Sequence, residues 1–202
     1  MRTMSDDHTH VREFFTARAD DWDSRFPDDG PAYAAAVADL GLRAGDRVLD
    51  AGCGTGRALP PLRRAVGPAG TVLGIDLTPA MLQAARRAGR DRDGWLLLAD
   101  VAALPLRSES LDAVFAAGLI AHLPRPAENL RELARVVRPG GALALFHPIG
   151  RSALAARQGR QITPEDLRAE GNLAPLLAGS GWHLTSYVDE DARFLALAVR
   201  DR

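Results

Sequence analysis

The sequence predicts an α/β protein: a Rossmann-like, doubly wound sheet of seven strands, preceded by a helical layer. Three observations carry this. Short aliphatic runs alternate with helix-like segments of about ten residues, the signature of right-handed βαβ units around a parallel sheet. The early runs are continuously apolar, as in strands covered on both faces. The last two runs have no helix between them, so they pair antiparallel and the final hairpin reverses direction.

The elements follow in order. Val11 to Arg18 and Ala32 to Leu40 read as helices joined by a polar, aromatic-bearing stretch from Asp20 to Gly30. Arg47 to Ala51 is the first strand, followed by a glycine-rich turn. Ala58 to Val66 is a helix, with Pro60 and Pro61 tolerated in its first turn. Thr71 to Ile75 is the second strand, and Thr78 N-caps a helix that starts at Pro79 and runs to about Ala88. Trp95 to Ala99 and Leu111 to Ala116 are the third and fourth strands. Pro126 to Val137 carries Leu130, Leu133, Ala134 and Val137 at helical spacing. Arg138-Pro139-Gly140-Gly141 breaks that helix, and Ala142 to Phe146 is the fifth strand. Thr163-Pro164-Glu165 caps a helix to about Leu177, and His183 to Val188 with Arg193 to Val199 forms the hairpin.

Composition narrows the class. With 47% apolar and 25% charged residues, the 202-residue chain is ordinary for one globular domain. The domain reading is a helical layer or lid over positions 1–40 and one structural unit over 41–202. All 25 positive charges are arginine, so no lysine chemistry is possible. A net charge of −1 argues against nucleic acid as partner. One cysteine, Cys53, excludes an internal disulfide and fits a reducing cytoplasm. No apolar run approaches the roughly 20 residues of a membrane span, so no membrane partner is expected. No histidines sit at metal-ligand spacing, so no metal is expected.

Chemistry concentrates at Asp50-Ala51-Gly52-Cys53-Gly54-Thr55-Gly56, between a strand and a helix. Glycines there let backbone approach a ligand closely. In open α/β sheets the ligand lies beyond the carboxyl ends of the strands. The dinucleotide fingerprint would need glycine at 57, where this chain has Arg57. An acid beside the loop suits a cationic ligand better than a phosphate. Asp76 ends the second strand, where a carboxylate accepts ribose hydroxyls. Asp100 ends the third, where it accepts from an adenine amino group, with the Val101 N–H beside it.

The ordered set VLDAGCGTG, GIDLTPAML, LLLADVAALPL, LDAVFAAGLIAHL and VRPGG resembles class I S-adenosylmethionine-dependent methyltransferases with the type-11 domain. The match is strong over about Asp46 to His147; FFTARADDWD and the final hairpin resemble the group more loosely. The resemblance implies a strand order 3-2-1-4-5-7-6 with strand seven antiparallel, and S-adenosylmethionine as cofactor. It implies that Gly52, Gly54 and Gly56 lie under the methionine portion and that Asp50 lies near its amino end. Asp76 would bind the ribose, Leu77 and Met81 would flank the adenine, and Asp100 and Val101 would clamp it. Ala117 and Gly118 would lie beside the reactive methyl.

His122 and His147 follow the fourth and fifth strands, and either suits a base toward a hydroxyl or amine. The competing reading for His122 is helix capping or packing. Pro148 makes chain turning the main task of His147, so His122 ranks first. His8, His10 and His183 read as surface residues. Phe14, Phe15, Trp22, Phe26 and Tyr33 either line an aromatic substrate pocket or pack the layer on the sheet. Arg151, Arg157 and Arg160 either meet an anionic substrate or form a solvated charge run. The expected activity is methyl transfer to a small-molecule acceptor by in-line displacement. A non-catalytic cofactor-binding module and, more remotely, a nicotinamide-dependent oxidoreductase are the alternatives. Acceptor atom and oligomeric state stay open.

Overall fold

A computed structural model describes residues 4–202, with side chains described from residue 9 onward. Its strands are β1 (Arg47–Ala51), β2 (Thr71–Asp76), β3 (Trp95–Leu98), β4 (Leu111–Ala117), β5 (Val137–His147), β6 (Trp182–Glu190) and β7 (Arg193–Arg200). They form one sheet in the order β3-β2-β1-β4-β5-β7-β6. The first five are parallel, and β7 runs antiparallel between β5 and β6. The order and the reversed seventh strand are those expected.

The helices are α1 (Met4–Thr16), α2 (Trp22–Arg25), α3 (Gly30–Asp39), α4 (Leu59–Val66), α5 (Pro79–Arg87), α6 (Pro126–Val136), α7 (Arg151–Arg157) and α8 (Glu170–Ala178). Successive strand residues face opposite sides of a sheet, and the core divides accordingly. Val48, Val72, Phe115, Ala144 and Phe146 pack with α3 and α4 on one face. Leu49, Val114, Ala116, Leu143 and Leu145 pack with α6, α8 and Trp182 on the other. Both faces of the central strands are therefore dry.

Four departures from the sequence reading have identifiable causes. The helix ends before Arg138 as expected, but the fifth strand starts at Val137 instead of Ala142, and the Arg138–Gly141 run bulges within it, since Leu111 pairs with Val137 and Ala113 with Ala142. Gly141 is forced there, because a Cβ would stand 2.6 Å from the Asp112 carbonyl oxygen. The last helix begins at Glu170 instead of Thr163. The preceding residues turn instead: the Asp166 carboxylate accepts from the Arg168 N–H at 2.9 Å, and Asn172 donates to the Pro164 and Asp166 carbonyls. Side chains that bond local backbone in this way compete with helix. Thr78 occupies the N-cap of α5 without a side-chain cap bond; the Asp76 carboxylate holds the Thr78 N–H instead, at 2.8 Å. Finally, β3 is an edge strand and is not covered on both faces, with Trp95 75% and Leu98 53% exposed. Helix α7 was not foreseen.

Trp182 ties the hairpin to the parallel half. It is fully buried, and its indole N–H donates to the Leu130 carbonyl of α6 at 2.9 Å. Trp182→Ala is expected to cost about 3–5 kcal/mol through the cavity and the lost bond. A urea midpoint within error of the wild type, at unchanged slope, contradicts this role.

Candidate active site

The carboxyl ends of β1, β2, β4 and β5 open into a cavity of about 840 Å³. Strand order reverses between β1 and β4, which is where the crevice of a doubly wound sheet forms. After β1 the chain turns through Gly52, Gly54 and Gly56 with φ of +67°, +53° and +79°. Side chains rarely adopt that region. A Cβ at Gly52 would also meet Leu119 at 2.9 Å. The loop therefore presents bare backbone to the cavity.

Asp50 lies at the base of this loop. It is 1% exposed, and neither carboxylate oxygen has a hydrogen-bond partner. Burial, and then the charge of Asp76, pushes its pKa up to about 8. Asp76 stands opposite, its pKa also raised by burial. It differs in being held: one oxygen accepts from the Gly54 N–H and the other from the Thr78 N–H, each at 2.8 Å. Asp76 thus joins the glycine loop to the start of α5, and its remaining lone pairs stay available to a ligand. The Asp100 carboxylate accepts from the Ala102 N–H at 2.8 Å.

The opposite wall holds the imidazoles and the aromatic layer. His122 opens onto the cavity, and its ring meets the Phe15 ring edge-on at a centroid distance of 5.1 Å. His147 Nδ1 lies 2.8 Å from the Ile149 carbonyl oxygen and 3.1 Å from its N–H. One nitrogen cannot donate and accept together, and the shorter contact makes Nδ1–H the donor. Nε2 then keeps its lone pair. Burial, with the nearby Arg168 charge, holds both histidines below the usual imidazole range. Both are neutral at physiological pH.

Residues before β1 close over the glycine loop through ion pairs. Asp23 accepts from the Thr55 hydroxyl at 2.7 Å and pairs with Arg90 at 2.7 Å. Arg57 pairs with Asp29 at 3.2 Å and donates to the Phe26 carbonyl. Sequence reasoning saw in Arg57 only the residue that breaks a dinucleotide fingerprint. The Asp-rich stretch from Asp20 to Asp29 was the signal for its partners.

The expected site residues converge. Asp50, Gly52, Gly54, Asp76, Leu77, Met81, Asp100, Val101, Ala117, His122 and His147 all line the one cavity. Gly56 does not; it packs behind the loop against Leu59, Ala85 and Arg90. Phe14, Phe15, Trp22, Phe26 and Tyr33 line it too. Of the three arginines singled out, Arg157 and Arg160 line the cavity, whereas Arg151 is held by Asp189 at 2.8 Å. Arg168 is a wall residue the sequence did not signal. Cys53 is buried in the loop, its thiol pKa raised well above the ordinary value by burial. His10 and His183 are exposed, and the His8 side chain lies outside the described residues. Among the described residues no cluster could hold a metal, and no helix is long and apolar enough to cross a membrane.

Known proteins match this architecture. Residues 49–145 match the model of a methyltransferase domain. The 27-O-demethylrifamycin SV methyltransferase of Amycolatopsis mediterranei is 40% identical over 110 residues, 52% of this chain and 40% of that protein. The chain spans less than half the length of the curated relatives it matches. A SAM-dependent methyltransferase from Aquifex aeolicus superposes with a TM-score of 0.70 at 26% identity, over 83% of this chain and 89% of that one. Magnesium protoporphyrin IX methyltransferase from Synechocystis, with bound SAH, shares the fold at a TM-score of 0.73 and 19% identity, over 97% and 100% of the two chains. Residues 49–145 thus match a methyltransferase domain, on a fold shared with a SAM-dependent methyltransferase.

Proposed function

We propose that this protein transfers the methyl group of S-adenosylmethionine to a small-molecule acceptor held against the aromatic wall. The observation that carries the reading is Asp50, buried with both oxygens unpartnered beside a left-handed glycine loop. The cofactor supplies an electrophilic sulfonium methyl. The chain supplies placement, water exclusion and a base. Asp50 receives the ammonium group, Asp76 the ribose hydroxyls and Asp100 the adenine amine. The named relatives that act on rifamycin, menaquinone and protoporphyrin precursors support a small-molecule acceptor. The single buried cysteine is consistent with work in a reducing cytoplasm. Calorimetry with S-adenosylhomocysteine, and its release over a panel of phenols, amines and acids, tests the reading. Binding with turnover supports it. Binding without turnover across the panel points to a non-catalytic cofactor module, and absence of binding overturns both.

Asp50 predicts a pH signature. In the ligand-free chain it keeps its proton up to about pH 8, whereas the ammonium-paired form is ionised, so binding releases a proton. Affinity for S-adenosylhomocysteine should rise from pH 6 toward 8, by at most about tenfold per unit, and then level. Stability runs the other way. The unfolded chain loses this proton near 3.8, so the group's contribution is full below that pH and is lost as pH rises through about 8. Asp50→Asn should therefore bind poorly at every pH, yet melt higher than wild type at pH 8 without ligand. A variant that is both weaker in binding and less stable assigns Asp50 to the fold alone.

His147 is the stronger base on present geometry, since Ile149 orients its ring and leaves Nε2 free. His147→Ala should lower turnover by about 10²–10⁴-fold with S-adenosylhomocysteine affinity unchanged. The acid limb of the rate profile should lie below the usual imidazole range. His122→Ala should do less, through loss of the Phe15 contact. Equal turnover in both variants removes the base from the mechanism.

Residues 1–40 act in this reading as a lid over the unit at 41–202. Support comes from the aromatics they place over the site and from the Asp23 and Asp29 pairs at the loop. Hydrogen exchange over residues 9–30 should slow when S-adenosylhomocysteine binds and quicken in Asp23→Asn. Exchange indifferent to both makes these residues a fixed layer.

A further inference from the structure

The cavity is electrically asymmetric. Asp50 and Asp76 lie on β1 and β2 and Asp100 follows β3, all on one side of the switch point in strand order. Arg157, Arg160 and Arg168, on α7 and the turns after it, come after β5 on the other side and line the same cavity. The charges of this region do not cancel. Arg168 binds the Asp166 carboxylate through both Nε and a terminal nitrogen, at 3.2 and 3.1 Å. Arg151 takes Asp189 at 2.8 Å and reaches Asp166 at 3.7 Å. Two carboxylates thus serve these two arginines. Among the described residues the Arg160 guanidinium donates to the neutral Gln158 amide oxygen and pairs with no carboxylate. No carboxylate among the described residues pairs with Arg157, nor with Arg18, whose guanidinium lies over the Phe14 ring at 3.7 Å.

Phe14, Phe15 and Trp22, stacked edge to face at 5.1 and 5.6 Å, line the same cavity. The cavity therefore combines acids, an apolar ring-lined wall and, in Arg157 and Arg160, guanidinium forks that no carboxylate among the described residues pairs with. Forks of this geometry match a carboxylate's two oxygens. We infer that the methyl acceptor is an organic anion, with a ring-bearing apolar body against Phe14, Phe15 and Trp22 and a carboxylate directed to Arg157 and Arg160. This rests on the methyltransferase reading for the word acceptor; the anion preference itself does not. The attraction also fits the chemistry, since a cationic centre at one end and an anion at the other align the ligand along the cavity.

Two dyes that differ only in a sulfonate give the test. Anilinonaphthalene sulfonate and neutral N-phenylnaphthylamine are titrated by fluorescence into wild type and into the Arg157→Gln/Arg160→Gln double variant. Wild type should prefer the anion by at least about tenfold. The double variant should lose that preference while keeping its affinity for the neutral dye, its melting temperature and its binding of S-adenosylhomocysteine. Phe15→Ala should weaken both dyes alike. Equal binding of the two dyes by wild type, or an anion preference that survives the double variant, overturns the inference. Failure of S-adenosylhomocysteine to bind wild type overturns the methyltransferase reading instead, and leaves the dye comparison to decide the charge preference on its own.

Discussion

A carboxylate enclosed by protein with nothing to donate to it is costly, and Asp50 is kept in that state by the same backbone that needs it there. Its strand is central, covered on both faces, and leaves the side chain 1% exposed at the cavity wall. The loop that follows turns away through left-handed glycines and directs its amide groups elsewhere, the Gly54 N–H to Asp76 and the Cys53 N–H to the Ile75 carbonyl. Asp76 holds that loop to α5 through one bond at each of its oxygens. The result is an unpartnered acid at the switch point of the sheet, on the wall of the cavity.

The legible parts of this protein were those written in local patterns. Arg47 to Ala51 and the glycine loop were read to the residue, because an apolar run followed by spaced glycines has few other structural solutions. The hairpin was readable because two strands without a helix between them have one way to pair. The rest depended on partners distant in sequence. The helix breaks before Arg138 as expected, but nothing near Arg138 says that Asp112 crowds position 141 and that the strand begins there with a bulge. Thr163-Pro164-Glu165 is a sound helix start, defeated by Asp166 accepting the Arg168 N–H and Asn172 donating to the Pro164 and Asp166 carbonyls. The apolar run of β3 looks like that of β1, and only its place at the edge of the sheet exposes Trp95.

At the site, residue types were legible and their ranking was not. Both histidines reached the cavity, as their strand-end positions required. That Ile149 orients one ring while Phe15 merely packs the other depends on a carbonyl and a helix that no spacing rule connects. The arginines show the same division. Arg151, Arg157 and Arg160 look alike in a charge run, and the carboxylates of a distant strand and turn decide which is neutralised. With no lysine in the chain, every such contact is made by a planar fork, so orientation as well as charge is fixed at each pairing.

The three tryptophans occupy three unlike surroundings. Trp182 is sealed in the core, Trp95 stands in solvent on the edge strand, and Trp22 sits at the boundary between the N-terminal helices and the cavity, stacked between Phe15 and Phe26. Indole emission depends on the polarity around the ring, so the chain carries its own optical reporters. Replacing Trp95 alone removes the signal that answers only to water. What remains is one fixed internal standard and one ring whose colour follows the polarity of the cavity wall.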